Sequence, residues 1–350
     1  MLSPRALNRT LLHRQHLLER TNMPAPAMVE HLLGLQAQET LPPYLSLWSR
    51  IADFDPGTVS RALADRTAVR VLLMRGTIHL VTPRDACFLR PLVQPMLDRV
   101  IGGTADGKAT ARLTPAELDG AVRTALREGA LPVKELGERL ALTFPGVPGP
   151  ALAAAARGRV ALVQVPPRGQ WRRSGGVVYE TLETWLGREQ DDEPDTTEMV
   201  RRYLRAFGPA TAADISAWSG LRGMRRVLTS MREELRTYRD AENRELFDLE
   251  GLPVVDEATP APVRLLGRYD NVWLSHDRRD RVTPDAEKRR RWMGVNGGIG
   301  CTVFVDGVLE GLWRQTDTGK LDVELFRALS RAERADLDAE AAGVERFLAG

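Results

Sequence analysis

Apolar residues recur at helical spacing through most of the first 258 positions, and the pattern then turns to short strand-like runs. The middle of the chain carries it most plainly. "TPAELDGAVRTALREG" puts Thr114 at a cap, Pro115 at the first helical position and Glu117 where a capping box needs its acid. "LPVKELGERLAL" predicts a second helix and the alanine-rich "PALAAAARG" a third. The β-branched run "VALVQV", the turn "PPRGQ" and the return strand "GGVVYE" then predict a hairpin. Three helices followed by a hairpin make a winged-helix arrangement.

The same grammar recurs on both sides. Downstream, "TEMVRRYLRAFG" predicts a helix ending at Gly208, "TAADISAWSGL" a helix capped by Thr211, and "GMRRVLTSMREEL" a third. "TYRD" and "RELFDLEG" form a hairpin around the polar "AEN". Upstream the fit is looser, with helices near Arg5–Leu18, Pro26–Gln36 and Pro56–Ala64, then the strand pair "AVRVLLMRG" and "TIHLVTP". From about Thr259 the runs "PVRLLGRYDNVWLS", "IGCTVFVDG", "VLEGLWRQT" and "KLDVELF" read as strands, with Asp306-Gly307 a two-residue hairpin turn. "SRAERADLDAEAAGVERFLAG" closes the chain as an amphipathic helix. The expected fold is α+β, mainly α: winged-helix units over 1–110, 111–190 and 191–258, and a small β-rich domain with a C-terminal helix over 259–350. The acidic run "REQDDEPDTTE" is the expected linker before the third unit.

Composition adds one positive and several negative statements. Lys and Arg (49) nearly balance Asp and Glu (47), so clustering matters more than the net charge of +2. Nearly all the cations are arginine, and "RGRVALVQVPPRGQWRR" holds five of them with no acid. A guanidinium fork suits bidentate phosphate contact, so this stretch is a candidate nucleic-acid surface, or else an ordinary solvated face. Cys87 and Cys301 match no metal or disulfide spacing, as expected in a reducing cytoplasm. No signal-peptide pattern and no run of about 18 apolar residues occurs, so the expectation is a cytoplasmic protein without a membrane partner.

Familiar catalytic signatures are missing: no phosphate-binding glycine loop and no nucleophile elbow. His13 and His16 stand three apart with no further ligand pattern, and His276-Asp277 reads as a polar turn; no metal and no cofactor is expected. What remains is "LLGLQAQETLPPY", with Gln36 and Gln38 two residues apart before a proline pair. On a regular helix they would point about 200° apart, so joint action requires the helix to unwind there. The two amides could equally satisfy orphan carbonyls at a helix end.

The segments "LQAQET", "LWSR", "LLMRGTIHLV", "VPPRGQW", "FGPATAADISAWSGL", "RYDNVWLSHDRRDRV" and "TVFVDGVLEGLWR" together resemble the AlkZ/YcaQ family of bacterial DNA glycosylases, over Arg5 to about Arg314. The resemblance implies tandem winged helices plus a β domain around a basic channel. It also implies a monofunctional, metal-independent glycosylase for N7-alkylguanine, interstrand crosslinks included, in repair or self-resistance. The family motif is Gln, aliphatic, then Gln or Asp; here Gln36-Ala37-Gln38 has the Gln/Gln form, which makes these two the expected catalytic residues. The expected partner is duplex DNA bearing alkylated guanine, met by a monomer. Arg75, Thr77 and His79 are candidates to face DNA beside the glutamines, though a neutral His79 could equally be a satisfied core residue, and Arg168 and Arg172 are candidates to touch phosphate from the second wing. Lys288, Arg289, Arg290 and Asn296, in "EKRRRWMGVNGGIG", are the best match to the family's minor-groove β-hairpin, or else form a solvated basic loop. The competing reading is a non-catalytic winged-helix transcriptional regulator.

Overall fold

Ser3 accepts a bond from the Ala6 N–H and Pro4 presets the first helical φ, so the chain enters α1 (Pro4–Arg14) at once. The computed structural model describes residues 1–293 and 300–350. After α1 come α2 (Ala25–His31), β1 (Leu35–Gln36), α3 (Pro42–Trp48) and α4 (Gly57–Ala64). The expected strand pair is present as β2 (Val69–Leu72) and β3 (Ile78–Val81), joined through a tight turn at Met74–Gly76. Helix α5 (Pro83–Gly102), capped by Thr82, has no counterpart in the sequence reading and holds Pro91 and Pro95 inside it.

The middle stretch contains α6 (Ala105–Ala109), α7 (Pro115–Ala125), β4 (Leu131–Pro132), α8 (Val133–Thr143), α9 (Gly149–Arg159), β5 (Leu162–Gln164), β6 (Val178–Thr181) and α10 (Leu182–Leu186). The capping box of Thr114 and Glu117 forms as expected. Gly137 and Gly149 let α8 and α9 touch backbone to backbone; a Cβ on Gly137 would lie 2.6 Å from the Gly149 carbonyl oxygen. The link from β5 to β6 is longer than the five-residue turn expected. It folds back on the first stretch, where Tyr44 Oη donates to Gly169 O (2.8 Å) and the Trp171 N–H donates to Ser60 Oγ (2.8 Å).

Then follow α11 (Thr196–Phe207), α12 (Ala212–Ser219), α13 (Met224–Ser230), β7 (Leu235–Arg239) and β8 (Glu245–Leu249). Gly208 ends α11 and Thr211 caps α12, in agreement with the pattern. The last stretch contains β9 (Arg264–Leu266), α14 (Asn271–Leu274), α15 (Ala286–Met293), β10 (Cys301–Val305), β11 (Val308–Gln315), β12 (Leu321–Leu325) and α16 (Arg331–Ala349). Two expectations are corrected here. "NVWL" is helical, because Asp270 accepts from the Val272 N–H and caps it. The basic run from Lys288 to Arg291 is helix α15 and not a hairpin: Asp285 accepts from the Glu287 and Lys288 N–H groups, and Ala, Glu, Lys and Arg favour helix. Asn296 lies outside the described residues.

Among the described residues the strands gather into three antiparallel sheets. The largest runs β1-β3-β2-β5-β6-β4 and joins the first and second hairpins through Val71 and Val163. β2, β3 and β5 are buried along their lengths, so neither hairpin is left with an open apolar edge where they meet. The C-terminal sheet runs β12-β11-β10-β9, and Asp306 and Gly307 take the positive φ (49° and 78°) of a two-residue turn. The main apolar core contains residues of the first, third and last stretches; smaller cores lie under α7–α9 and under the C-terminal sheet with α16. Bidentate ion pairs cross between stretches: Arg14 with Asp248 (2.7 Å twice) and Arg50 with Asp270 (2.7 Å twice). Among the described residues no helix is long and apolar enough to cross a membrane.

Candidate active site

Helix α2 stops at His31, five residues short of the expected end, because Leu33 (φ 51°) and Gly34 (φ 97°) turn left-handed. Gly34 is required there: a Cβ would lie 2.6 Å from Val81 Cγ1. The chain leaves this turn extended and pairs antiparallel with β3, Leu35 opposite Leu80 and Gln36 opposite His79. The Ala37 N–H continues the ladder by donating to Ile78 O (2.7 Å). The helix therefore unwinds before Gln36, as joint action of the two amides would require.

Gln36 reaches the turn between β2 and β3, and Gln38 the first residue of β3. Gln36, 7% exposed, accepts at Oε1 from an Arg75 guanidinium nitrogen (3.1 Å). Gln38 is exposed, and its Oε1 accepts from the Ile78 N–H (3.2 Å). Ala37 between them is fully buried, and Arg70 donates to its carbonyl (2.8 Å) while also bonding Gln164 Oε1 (3.2 and 3.3 Å). Arg70 thus ties the glutamine segment to β5, a role the sequence did not disclose.

Arg75 sits at the turn's tip with a left-handed φ of 57°. One guanidinium nitrogen donates to the carbonyl of Trp218 in the last turn of α12, and the other bonds Gln36 and lies 3.5 Å from His79 Nε2. Among the described residues no carboxylate comes within ion-pair distance of Arg75. Burial first, and then the nearby positive Arg279, push its pKa down to about 10, which still leaves it charged at neutral pH. Arg279 donates from Nε to Trp273 O (3.2 Å) and lies over the Trp292 ring at 5.8 Å.

His79 is 2% exposed, and burial followed by the Arg75 charge pushes its pKa down to about 3. The neutral ring can donate from Nδ1 to Thr77 O (3.0 Å), which leaves the Nε2 lone pair toward Arg75. His79 therefore lies behind Gln36 rather than on an outer face. Thr77 closes the turn by donating from Oγ1 to Met74 O (3.2 Å). The nearest carboxylate along the chain, Glu39, is engaged by Arg268 (3.0 Å) and the Tyr269 hydroxyl (3.2 Å).

The other expected site residues are elsewhere. Arg168 donates to Gly175 O (3.1 Å) within its own loop. Arg172, over the Trp171 ring at 5.7 Å, donates to Leu348 O at the end of α16, so part of its guanidinium is committed to holding that helix. Lys288 pairs with Glu310 (2.5 Å), Arg289 with Asp280 (2.8 Å), and Arg291 with Glu324. Arg290 is exposed and has no ion-pair partner among the described residues. His276 is buried against Ser275 Oγ (3.0 Å), and the Asp277 N–H donates to Asp214 (3.0 Å), which makes "SHD" a polar turn.

The arrangement offers one amide at the turn and one at the start of β3, the first of them backed by a charged donor and a neutral imidazole. Such a site can orient small polar molecules, and among the described residues it holds no unengaged carboxylate beside the amides. Comparison with known proteins agrees in extent. The profile of a family described as "DNA glycosylase AlkZ-like" matches residues 29–347. A Streptomyces sahachiroi protein named "Interstrand DNA cross-link repair glycosylase" is 28% identical over 354 residues, covering 96% of this chain and 94% of that protein. The solved structure of Streptomyces sahachiroi DNA glycosylase AlkZ superposes with a TM-score of 0.82 at 25% identity, covering 99% of this chain and 97% of that one.

Proposed function

Since the chain belongs to the AlkZ-like DNA glycosylase family, we propose that it hydrolyses the N-glycosidic bond of cationic N7-alkylguanine in duplex DNA. The class includes bulky adducts and interstrand crosslinks, in repair or self-resistance. Gln36 and Gln38 hold the attacking water. The observation that carries this reading is that Gln36 meets the tip of the β2–β3 turn and Gln38 the first residue of β3, with no unengaged carboxylate beside them among the described residues.

An alkyl group on N7 makes guanine cationic, so the bond to C1′ is already weakened and the base leaves without being protonated. The protein then needs to place water at C1′ and tolerate an oxocarbenium-like sugar. An amide carbonyl can accept a hydrogen bond from that water but cannot take its proton at neutral pH. The chemistry is thereby restricted to leaving groups that need no help, and no metal or cofactor is invoked.

The DNA-facing residues follow from exposure. Among the described residues Arg290 keeps its guanidinium outside any ion pair, which suits a phosphate; Arg168 and Arg172 offer only the part of their forks not used within the protein. The hairpins β2–β3, β5–β6 and β7–β8 each close a helical stretch, which supports three tandem winged-helix units ahead of a β-rich domain. A monomer clasping the duplex fits this layout.

The test is direct. Incubation with duplex DNA containing N7-methylguanine should release free base, and duplexes containing uracil should release none. Failure to release the methylated base, with binding intact, would leave only a DNA-binding role.

A further inference from the structure

Building on that reading, we propose that Arg75 is a positioning residue of base excision, whose guanidinium fork decides which end of the Gln36 amide the bound DNA meets. A glutamine's oxygen and nitrogen ends have nearly the same shape, so the side chain does not choose its own orientation. A guanidinium can only donate. With Arg75 donating at 3.1 Å, the end of Gln36 beside it must be the carbonyl, and Nε2 is turned away with no partner among the described residues.

Arg75 is itself held from three sides. Its other nitrogen bonds the carbonyl of Trp218, one of the carbonyls left open at the end of α12, where the helix dipole favours a cation. The His79 ring, oriented by Thr77 O, presents Nε2 at 3.5 Å. The left-handed backbone at the turn's tip aims the side chain inward. A carboxylate in this set would draw the guanidinium off the amide, and the described residues supply none. Every acceptor Arg75 finds is neutral.

The consequence is chemical. A charged donor occupies one lone pair of Gln36 Oε1 and polarises the amide, while the second lone pair stays open for water. Gln38 is oriented in the same sense, with its carbonyl toward the Ile78 N–H. Both amides therefore turn their NH2 groups away from these two donors. Arg75 acts through Gln36 and touches no reacting atom.

The experiment measures single-turnover release of N7-methylguanine by the full chain carrying Arg75→Met, Arg75→Lys, Gln36→Ala, and Arg75→Met with Gln36→Ala. Binding affinity for the same duplex is measured as a function of salt. Arg75→Met should slow release by about tenfold or more with the dissociation constant nearly unchanged, since a misaligned group near the reaction centre costs that much. The double variant should be no slower than Gln36→Ala alone. Arg75→Lys should remain impaired, because one ammonium cannot span both acceptors, and it carries the test if the Met variant is unfolded at assay temperature. Unchanged release, additive losses in the double variant, or a loss confined to affinity with a shallower salt slope would each overturn the proposal; the last would make Arg75 a phosphate contact. If Gln36→Ala releases base as fast as the parent, the failure belongs to the glutamine mechanism instead.

Discussion

Gln36 and His79 stand opposite each other across the antiparallel pair of β1 and β3, and Arg75 reaches both from the tip of the turn that β3 leaves. The relationship couples a residue at the end of one helical stretch to a hairpin some forty residues later. Most of the candidate chemistry depends on that coupling.

The two glutamines differ in surroundings, and their alanine variants should differ in stability. Gln36→Ala removes an acceptor from the largely buried Arg75, at a cost of about 1–3 kcal/mol in denaturant unfolding. Gln38 is exposed, and water can replace its carbonyl on the Ile78 N–H, so Gln38→Ala should lie within about 0.5 kcal/mol of the parent. Both should lose most excision in a base-release assay while retaining DNA affinity.

Gln36→Glu should not yield a working general base. The new carboxylate would meet the Arg75 guanidinium, which favours its charged form and lowers its pKa. Release of N7-methylguanine should then be flat between about pH 6 and 8, and uracil DNA should remain uncut. Measurable uracil release by this variant would refute the argument.

His79 predicts a pH dependence of stability. Its pKa is pushed down to about 3, below the ordinary 6.5 that the unfolded chain would show. As pH falls below about 6.5 the unfolded state takes up a proton that the folded state does not, so stability declines toward pH 3 and is fully present above about 7. The slope contributed is at most about 1.4 kcal/mol per pH unit. His79→Gln should therefore flatten the melting temperature between pH 7 and 5 relative to the parent; an identical profile would show that the ring is protonated in the fold.

Arg50 and Asp270 form a buried bidentate pair, 0% and 2% exposed, joining α3's end to the start of α14. Asp270→Ala leaves a buried guanidinium uncompensated and removes the cap of α14, and should destabilise the protein by about 3–5 kcal/mol. Replacing both partners by apolar residues should cost much less. Chemical denaturation of the single and double variants separates the two outcomes.

Local signals determined much of the architecture. The capping box at Thr114 and Glu117, the glycine after α11, the Thr211 cap and the Asp306-Gly307 turn each act within a few residues, so their elements could be read from the chain alone. The spacing of Gln36 and Gln38 likewise called for a break in helix before them if the two were to act together, because alternate residues share a side only in extended chain. Helix α5 holds two prolines and escaped the sequence reading, and the cap at Asp285, itself a local signal, made helix of a basic run expected in a hairpin. Tertiary contact decided the rest. Nothing near Gln36 in sequence says which end of its amide is outward, or that Arg75 and His79 lie behind it. Those facts rest on hydrogen bonds between residues about forty positions apart and on a carbonyl of α12, where only the folded chain brings donor and acceptor within reach.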